Sequence, residues 1–103
     1  MPKIRNRLAS NTWHVYIVRC ADNSLYTGVT VDINRRILEH NSHVSRGAKY
    51  TRARKPVIIV YEETLKSRSM AMKREYEIKR LNRTGKEELI RDYQPGRSKD
   101  SPS

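Results

Sequence analysis

Residues 13–20, WHVYIVRC, and residues 25–31, LYTGVTV, are two short runs rich in β-branched and aromatic side chains. Such runs are typical of β-strands. The four residues between them, ADNS at 21–24, are types that turns prefer, because Asp and Asn side chains hydrogen-bond to nearby backbone and tolerate unusual dihedral angles. The stretch therefore predicts a β-hairpin of two antiparallel strands.

The pattern outside the hairpin predicts helices and one further strand. Asp32 can cap a helix over about Ile33 to His43, where apolar residues recur at helical spacing. The apolar run from Val57 to Tyr61 predicts a third, buried strand. Ser67 and Thr84 can each cap a later helix. The order β-β-α-β-α-α predicts an α/β fold with a small three-stranded antiparallel or mixed sheet flanked by helices.

The chain has 103 residues, a length that fits one domain. Its apolar runs fall within residues 12–93, which we expect to form that domain. Residues 1–11 contain Lys3, Arg5 and Arg7 without periodicity and predict a flexible basic arm. Residues 94–103 are rich in Pro, Gly and Ser and predict a disordered tail.

Charge indicates the class of partner. Lysine and arginine total 22 against 11 aspartate and glutamate, a net charge of +11, which attracts polyanions such as nucleic acid. An anionic membrane is the rival partner, but no apolar stretch approaches the roughly 20 residues that span a bilayer. The alternative to a polyanionic partner is that the excess of lysine and arginine only keeps the protein soluble. We therefore expect a nucleic-acid-binding protein without a membrane partner.

Cys20 is the only cysteine of the chain. A single cysteine excludes an internal disulfide and a cysteine-rich zinc site, and the first residues do not resemble a signal or transit peptide. These features predict a cytoplasmic protein. Because Cys20 ends an apolar run, we expect a small buried hydrophobic residue rather than a reactive thiol.

Short motifs occur in a fixed order along the predicted elements. They are His14-Val15-Tyr16, Tyr26-Thr27-Gly28, the residues DINRR at 32–36, then His40, and the residues EYEIK at 75–79. The set and its spacing resemble the GIY-YIG nuclease superfamily, in particular its compact single-domain bacterial branch. The resemblance implies metal-assisted hydrolysis of phosphodiester bonds. The catalytic residues that it implies are Tyr16, Tyr26, Arg36, His40 and Glu75.

Helical geometry places Glu75 on one face with Ala71 and Ile78, the face expected to pack inward. An unpaired inward carboxylate is costly, so Glu75 needs a compensating partner. The resemblance implies one divalent cation, Mg²⁺ or Mn²⁺, which proteins often hold through one or two carboxylates with water and phosphate. The alternative is an ordinary ion pair with Arg36 or Lys79.

Arg36 and His40 lie four residues apart, so they project together from one flank of the first predicted helix. Under the resemblance, Arg36 binds the scissile phosphate and stabilises its transition state. His40 orients the nucleophilic water or a tyrosine hydroxyl. The alternative is a solvated pair on the helix surface.

The two tyrosines have to share one face of the sheet if they share a site. A two-residue turn at Asp22-Asn23 would place Tyr16 and Tyr26 on opposite faces, so a shared site requires an odd-numbered loop or a bulge. Tyrosine has a pKa of about 10, and a nearby cation such as Arg36 or the metal is needed for it to act as a base near neutrality. The sequence does not indicate which of the two tyrosines activates water. The alternative to a catalytic role is that both are half-buried structural tyrosines of the sheet.

Residues 46–55, RGAKYTRARK, predict a basic loop that contacts phosphates, although charged loops are often only solvated. Gly28 would allow a phosphate to approach the strand closely. The predicted nucleic-acid-binding residues are Gly28, Lys49, Tyr50, Arg52, Arg54, Lys55, Lys79 and Lys86.

The sequence is compatible with three functions. The first is a divalent-metal-dependent DNA endonuclease or nickase of low sequence specificity, because phosphate contacts position a protein without specifying sequence. The second is a catalytically weak or inactive protein with a nuclease-like fold that binds nucleic acid, with RNA as a candidate ligand. The third is a small ribosome-associated basic protein. The first two differ in whether Glu75, Arg36 and both tyrosines meet in one open cleft.

Overall fold

The computed structural model describes residues 12–42 and 49–93. Its sheet contains β1 (Trp13–Arg19), β2 (Leu25–Thr30) and β3 (Ile58–Leu65) in the order β2-β1-β3, and both strand pairs are antiparallel. Its helices are α1 (Ile33–Asn41), α2 (Lys49–Arg52), α3 (Arg68–Lys79) and α4 (Arg83–Asp92). This confirms the predicted small sheet with flanking helices. None of the helices in these ranges is long and apolar enough to cross a bilayer.

The predicted arm at residues 1–11 and the predicted tail at residues 94–103 lie outside the described residues. Within the described ranges, β3 continues four residues past the predicted end at Tyr61, because Glu62 to Leu65 pair with β1. The predicted basic loop contains one helical turn, α2. Apolar patterning misses both features, since neither segment alternates cleanly between apolar and polar residues.

The hairpin turn gives the two tyrosines a common face. The carbonyl of Cys20 accepts from the Asn23 amide at 2.8 Å, and the Cys20 amide donates to the carbonyl of Ser24 at 2.8 Å. Asn23 adopts a left-handed conformation with φ of 72°. This is a three-residue loop closed by a residue in the left-handed region, as is common in hairpins. Because the loop is odd-numbered, Tyr16 pairs with Gly28 and Val18 with Tyr26, and the two tyrosines face the same side.

The sheet is covered on both faces. On one face Val15 and Ile17 pack against Ala71 and Ile78 of α3, and all four side chains are fully buried. On the opposite face Tyr16, Val18, Cys20 and Val57 form a second buried cluster, against which Ile33 and Ile37 of α1 pack. Cys20 is buried, as expected from its position at the end of an apolar run. The helix α1 therefore lies over the face that carries both tyrosines.

Side-chain caps begin the three longer helices. Asp32 accepts from the Arg35 amide at 3.1 Å, and Ser67 accepts from the Met70 amide at 3.2 Å, so both predicted caps are confirmed. The prediction of Thr84 as the cap of α4 is wrong. Asn82 takes that position and accepts from the Gly85 amide at 2.8 Å, in keeping with the stronger preference for Asn at helix N-termini.

Glu87 joins α4 to the hairpin. Arg19 donates two hydrogen bonds to its carboxylate, at 3.0 and 2.9 Å, and Arg83 donates a third at 2.9 Å. The hydrogen bonds from Arg19, followed by those from Arg83, lower the pKa of Glu87 to about 2. Arg83 also donates to the carbonyl of Asn23 at 2.9 Å. These contacts dock the start of α4 against the hairpin turn.

Candidate active site

A chain of three polar side chains lies on the sheet face beneath α1. The hydroxyl of Tyr16 is 2.9 Å from Nε2 of His40, and Nδ1 of His40 is 2.7 Å from Oγ1 of Thr51. Tyr16 and His40 are each 1% exposed, and Thr51 is fully buried. Thr51 was not predicted as a site residue, and the only signal for it is its place in the KYTR segment of α2. The sheet, α1 and α2 thus each supply one member.

Gly28 makes room for the tyrosine ring. A Cβ atom at this position would lie 2.5 Å from the Tyr16 hydroxyl oxygen and 2.7 Å from the ring carbon that bears it. Any side chain at residue 28 would therefore push Tyr16 away from His40. The sequence suggested that Gly28 lets a phosphate approach the strand, whereas the structure shows that the Tyr16 ring already uses this space.

Arg36 connects the tyrosine to the surface. Its guanidinium lies close enough to the Tyr16 hydroxyl to oppose the rise in the pKa of that phenol, and its Nη1 donates to Glu39 at 2.9 Å. The Arg36 side chain is 25% exposed. Glu39 also accepts from Arg35 at 3.2 Å. The guanidinium is therefore held between a buried phenol and a surface carboxylate, with part of it accessible to a ligand.

Burial sets the protonation of both Tyr16 and His40. Burial raises the pKa of Tyr16 to about 12, against the opposing effect of the Arg36 guanidinium. Burial, followed by the charge of Arg36, lowers the pKa of His40 to about 4. The cation expected beside the tyrosine is present, but burial outweighs it. At neutral pH the site holds a protonated phenol and a neutral imidazole.

A neutral imidazole has one donor and one acceptor nitrogen, so two arrangements satisfy this chain. In one, Tyr16 donates to Nε2 while Nδ1 donates to Thr51. In the other, Thr51 donates to Nδ1 while Nε2 donates to the phenol oxygen. Only the first leaves His40 ready to accept a proton from Tyr16.

The lowered pKa of His40 predicts a pH-dependent stability. The unfolded chain takes up a proton on this histidine below about pH 6.5, whereas the folded chain does so only near pH 4. The unfolded state binds more protons between these values, so stability should fall as the pH drops from about 6.5 toward 4. The full shift corresponds to about 3 kcal/mol.

Chemical denaturation at pH 7.0, 6.0 and 5.0 measures this effect, because carboxylates contribute little in that range. The His40→Gln variant should lose most of the dependence, and the His14→Gln variant should keep it. Parallel pH profiles for the wild type and His40→Gln would contradict the assignment.

Tyr26 lies at the rim of the buried chain. Its ring packs edge-on against the His40 ring, with 5.5 Å between the ring centres. It stacks on the Tyr50 ring, with 5.9 Å between the centres and an interplanar angle of 19°. The guanidinium of Arg54 lies 4.0 Å from the centre of the Tyr50 ring, and its Nε donates to Asp22 at 3.0 Å. Tyr50 and Arg54, predicted as nucleic-acid contacts, are thus already engaged in holding Tyr26 in place.

Glu75 lies on the inward side of α3, as predicted. Ala71 and Ile78 of the same face are fully buried, and the Glu75 side chain is 17% exposed. Its carboxylate pairs with Nζ of Lys79 at 3.0 Å, so the structure contains one of the two ion pairs named as alternatives to a metal. The negative charge of Glu75 also contributes to the raised pKa of Tyr16, which places the two groups within electrostatic reach of each other.

The donor set around Glu75 fits one kind of metal binding. Among residues 12–42 and 49–93, no group of three or more His, Cys, Asp or Glu side chains is arranged to hold an ion. A cage made entirely of protein ligands is therefore not present in this part of the chain. Mg²⁺ and ions like it often take one carboxylate and complete their shell with water and substrate phosphate. Glu75 fits that arrangement.

The other predicted nucleic-acid-binding residues differ in their exposure and in their partners. Lys55 donates to the carbonyl of Ser42 at 2.6 Å, which ties β3's leading segment to the end of α1. Arg52 is exposed on α2, and Lys86 is half-buried on α4. Lys49 begins α2, but its side chain lies outside the parts of the chain that the structure describes.

Known proteins resemble this chain in sequence and in fold. Residues 12–88 match the family model of the GIY-YIG catalytic domain. A UPF0213 protein of Desulfotalea psychrophila is 56% identical over 84 residues, which cover 82% of this chain and 76% of that protein. A UPF0213 protein of Halobacterium salinarum is 51% identical over 77 residues, which cover 75% of this chain and 97% of that protein.

Two solution NMR structures are similar as well. A UPF0213 protein of Bacillus halodurans is 45% identical with a TM-score of 0.51, and a protein of E. faecalis is 41% identical with a TM-score of 0.54. Each match covers 78% of this chain and 83% of the other. The family match spans the buried Tyr16–His40–Thr51 chain as well as Arg36 and Glu75. The chain therefore belongs to the GIY-YIG family of nuclease-type domains.

Proposed function

We propose that this chain is a cytoplasmic, divalent-metal-dependent DNA endonuclease or nickase of low sequence specificity. The observation that carries the proposal is the buried Tyr16–His40–Thr51 chain with Arg36 beside the phenol. A neutral histidine against a tyrosine hydroxyl offers a proton acceptor, which hydrolysis can use because the attacking water has to lose a proton.

The chain of polar groups can move that proton. In the first of the two arrangements, Tyr16 donates to Nε2 of neutral His40, and the phenol oxygen keeps lone pairs that can accept from another donor. A water that donates to the phenol oxygen can then pass a proton to Tyr16 while Tyr16 passes its own proton to His40. In the same arrangement Thr51 accepts from Nδ1 and keeps the imidazole in the required tautomer. Tyr16 need not ionise at any stage.

Arg36 controls access to this relay. Tyr16 is 1% exposed, and the partly exposed guanidinium of Arg36 lies beside its hydroxyl. A phosphate that attracts the guanidinium draws it away from the phenol and opens the phenol oxygen to water. The same guanidinium then offsets the charge that builds on the phosphoryl oxygens in the transition state. Substrate binding and water activation are thereby coupled.

The resemblance and the family imply a divalent cation, and Glu75 is the residue that would hold it. When bound, Mg²⁺ or Mn²⁺ supplies Lewis-acid chemistry at a phosphate oxygen. Lys79, which pairs with Glu75 at 3.0 Å and is 53% exposed, can swing into solvent and leave the carboxylate to a metal. This exchange requires no movement of the buried core.

DNA is the proposed substrate because the chain carries a net charge of +11, which attracts a phosphate backbone. Incubation of supercoiled plasmid with the protein in Mg²⁺, in Mn²⁺ and in chelator tests the activity. We expect nicks at many positions in either metal and none in chelator. Binding in all three conditions without any cleavage would favour the alternative, a nuclease-like binding protein.

A further inference from the structure

A row of exposed side chains on α3 lies outside the site described above. Arg68, Met72, Tyr76 and Arg80 are spaced four residues apart, with Arg80 at the C-cap in helical conformation. Residues at this spacing follow one another along a helix surface, here over about 18 Å. Met72 is 43% exposed and Tyr76 is 61% exposed. We call these four residues the α3 row.

The α3 row lies beside the carboxylate of the candidate site. Glu75 and Lys79 belong to the neighbouring row on the same helix, one position before Tyr76 and Arg80. A ligand that follows the α3 row therefore passes along the flank of Glu75. A strand bound there would present its phosphates to the same side of the helix that would hold the metal.

The charges of α3 are sorted between its two sides. On the side away from the row, Arg74 pairs with Glu63 at 2.8 Å and with Glu77 at 3.2 Å, so opposite charges neutralise each other. In the row, the guanidinium of Arg68 lies 6.0 Å from the Trp13 ring, and that of Arg80 lies 5.5 Å from the Tyr76 ring. Neither of these two arginines forms an ion pair with a described residue. The row therefore keeps its positive charge.

Its chemistry indicates the kind of ligand. Two cations flank an exposed aromatic ring and a thioether, an arrangement that suits a polyanion with flat apolar groups along it. Single-stranded nucleic acid has this character, because its base faces are open to stack on aromatic side chains while its phosphates meet arginine. A duplex buries the faces of its bases and offers mainly phosphates to such a surface.

We propose that the α3 row binds an unpaired segment of the substrate strand, with a base stacked on Tyr76 and phosphates at Arg68 and Arg80. The inference rests on the proposed function and narrows its substrate to nucleic acid with single-stranded character beside the scissile phosphate. Arg80 Nη1 donates to the Tyr76 hydroxyl at 3.1 Å, which holds the ring ready for stacking.

Binding measured in chelator tests this surface separately from cleavage. Fluorescence anisotropy with a labelled single strand and a duplex of the same length would compare wild type, Tyr76→Ala and Tyr76→Phe. We expect Tyr76→Ala to weaken single-strand binding about 5- to 100-fold, as loss of one stacked base implies, with duplex binding nearly unchanged. Tyr76→Phe should retain most of the affinity. Met70→Ala, which changes another exposed side chain on the other side of α3, is the matched control and should have no effect.

Two results would overturn the inference: unchanged single-strand binding by Tyr76→Ala, or an equal loss for single strand and duplex. Both variants alter exposed side chains, so thermal melting should match the wild type and exclude misfolding. Failure of the proposed function has a different signature. In that case the wild type cuts no substrate in Mg²⁺ or Mn²⁺, although Tyr76→Ala still loses single-strand affinity selectively, and the row stands as a binding surface.

Discussion

Replacing Tyr16 with phenylalanine is expected to lower the cleavage rate by about 10²- to 10⁴-fold, the usual contribution of a positioned proton-transfer group. The change removes the hydroxyl that bonds to His40 and lies near Arg36, while it keeps the ring that fills the space above Gly28. Loss of the buried hydroxyl leaves Nε2 of His40 without its partner, which should cost about 1–3 kcal/mol of stability. Single-turnover cleavage and denaturant unfolding measure the two effects.

Tyr61→Phe is the matched control for this variant. Tyr61 is a half-buried sheet tyrosine whose hydroxyl donates to Glu63 at 2.9 Å, and it packs with the cluster on the opposite face. Removal of the Tyr61 hydroxyl should leave the cleavage rate within a few-fold of wild type. If Tyr16→Phe cuts as fast as Tyr61→Phe, the relay through Tyr16 is not part of the reaction.

Glu75→Gln is expected to lower cleavage by about 10³-fold or more, because a metal held by this carboxylate would contribute several kcal/mol to the transition state. Binding of nucleic acid should stay close to wild type. Stability in chelator should change by less than about 1 kcal/mol, because the Lys79 partner is 53% exposed and such pairs contribute little. Arg36 donates to Glu39 at 2.9 Å and keeps that partner in the variant.

Glu77→Gln provides the control on the same helix. Glu77 pairs with Arg74 at 3.2 Å, as Glu75 pairs with Lys79, but it lies on the other side of α3. Both variants lose one carboxylate and one ion pair, and Arg74 keeps its pair with Glu63 in the control. Cleavage by Glu77→Gln should stay close to wild type. A strongly destabilised Glu75→Gln protein would show that the ion pair is structural and would remove Glu75 from the site.

The hairpin illustrates what the sequence could establish. Two β-rich runs around a turn-forming segment predict the strands, and the motifs on them predict a shared site. The register depends on whether the loop closes with an even or an odd number of residues, and the left-handed Asn23 makes it odd. Asn tolerates that conformation, but a sequence alone does not show which of several turns will form.

The structural roles of Thr51, Tyr50 and Arg54 could not be predicted from the sequence. All three lie in a basic segment whose composition indicates phosphate contacts, yet Thr51 is fully buried and Tyr50 and Arg54 pack beside Tyr26. Their roles depend on how α2 docks onto α1 and the sheet, which is a long-range contact without periodic signal. The partner of Glu75 was open between Arg36 and Lys79, and the geometry of α3 selects Lys79.

The most direct measurement starts cleavage with metal from a complex formed in chelator. Wild type and Glu75→Gln are bound to labelled DNA at equal occupancy, Mg²⁺ or Mn²⁺ is added, and the product is followed with time. The account predicts that wild type cuts its bound DNA and that Glu75→Gln holds the same DNA uncut. No product from wild type, or equal rates for both proteins, would contradict it.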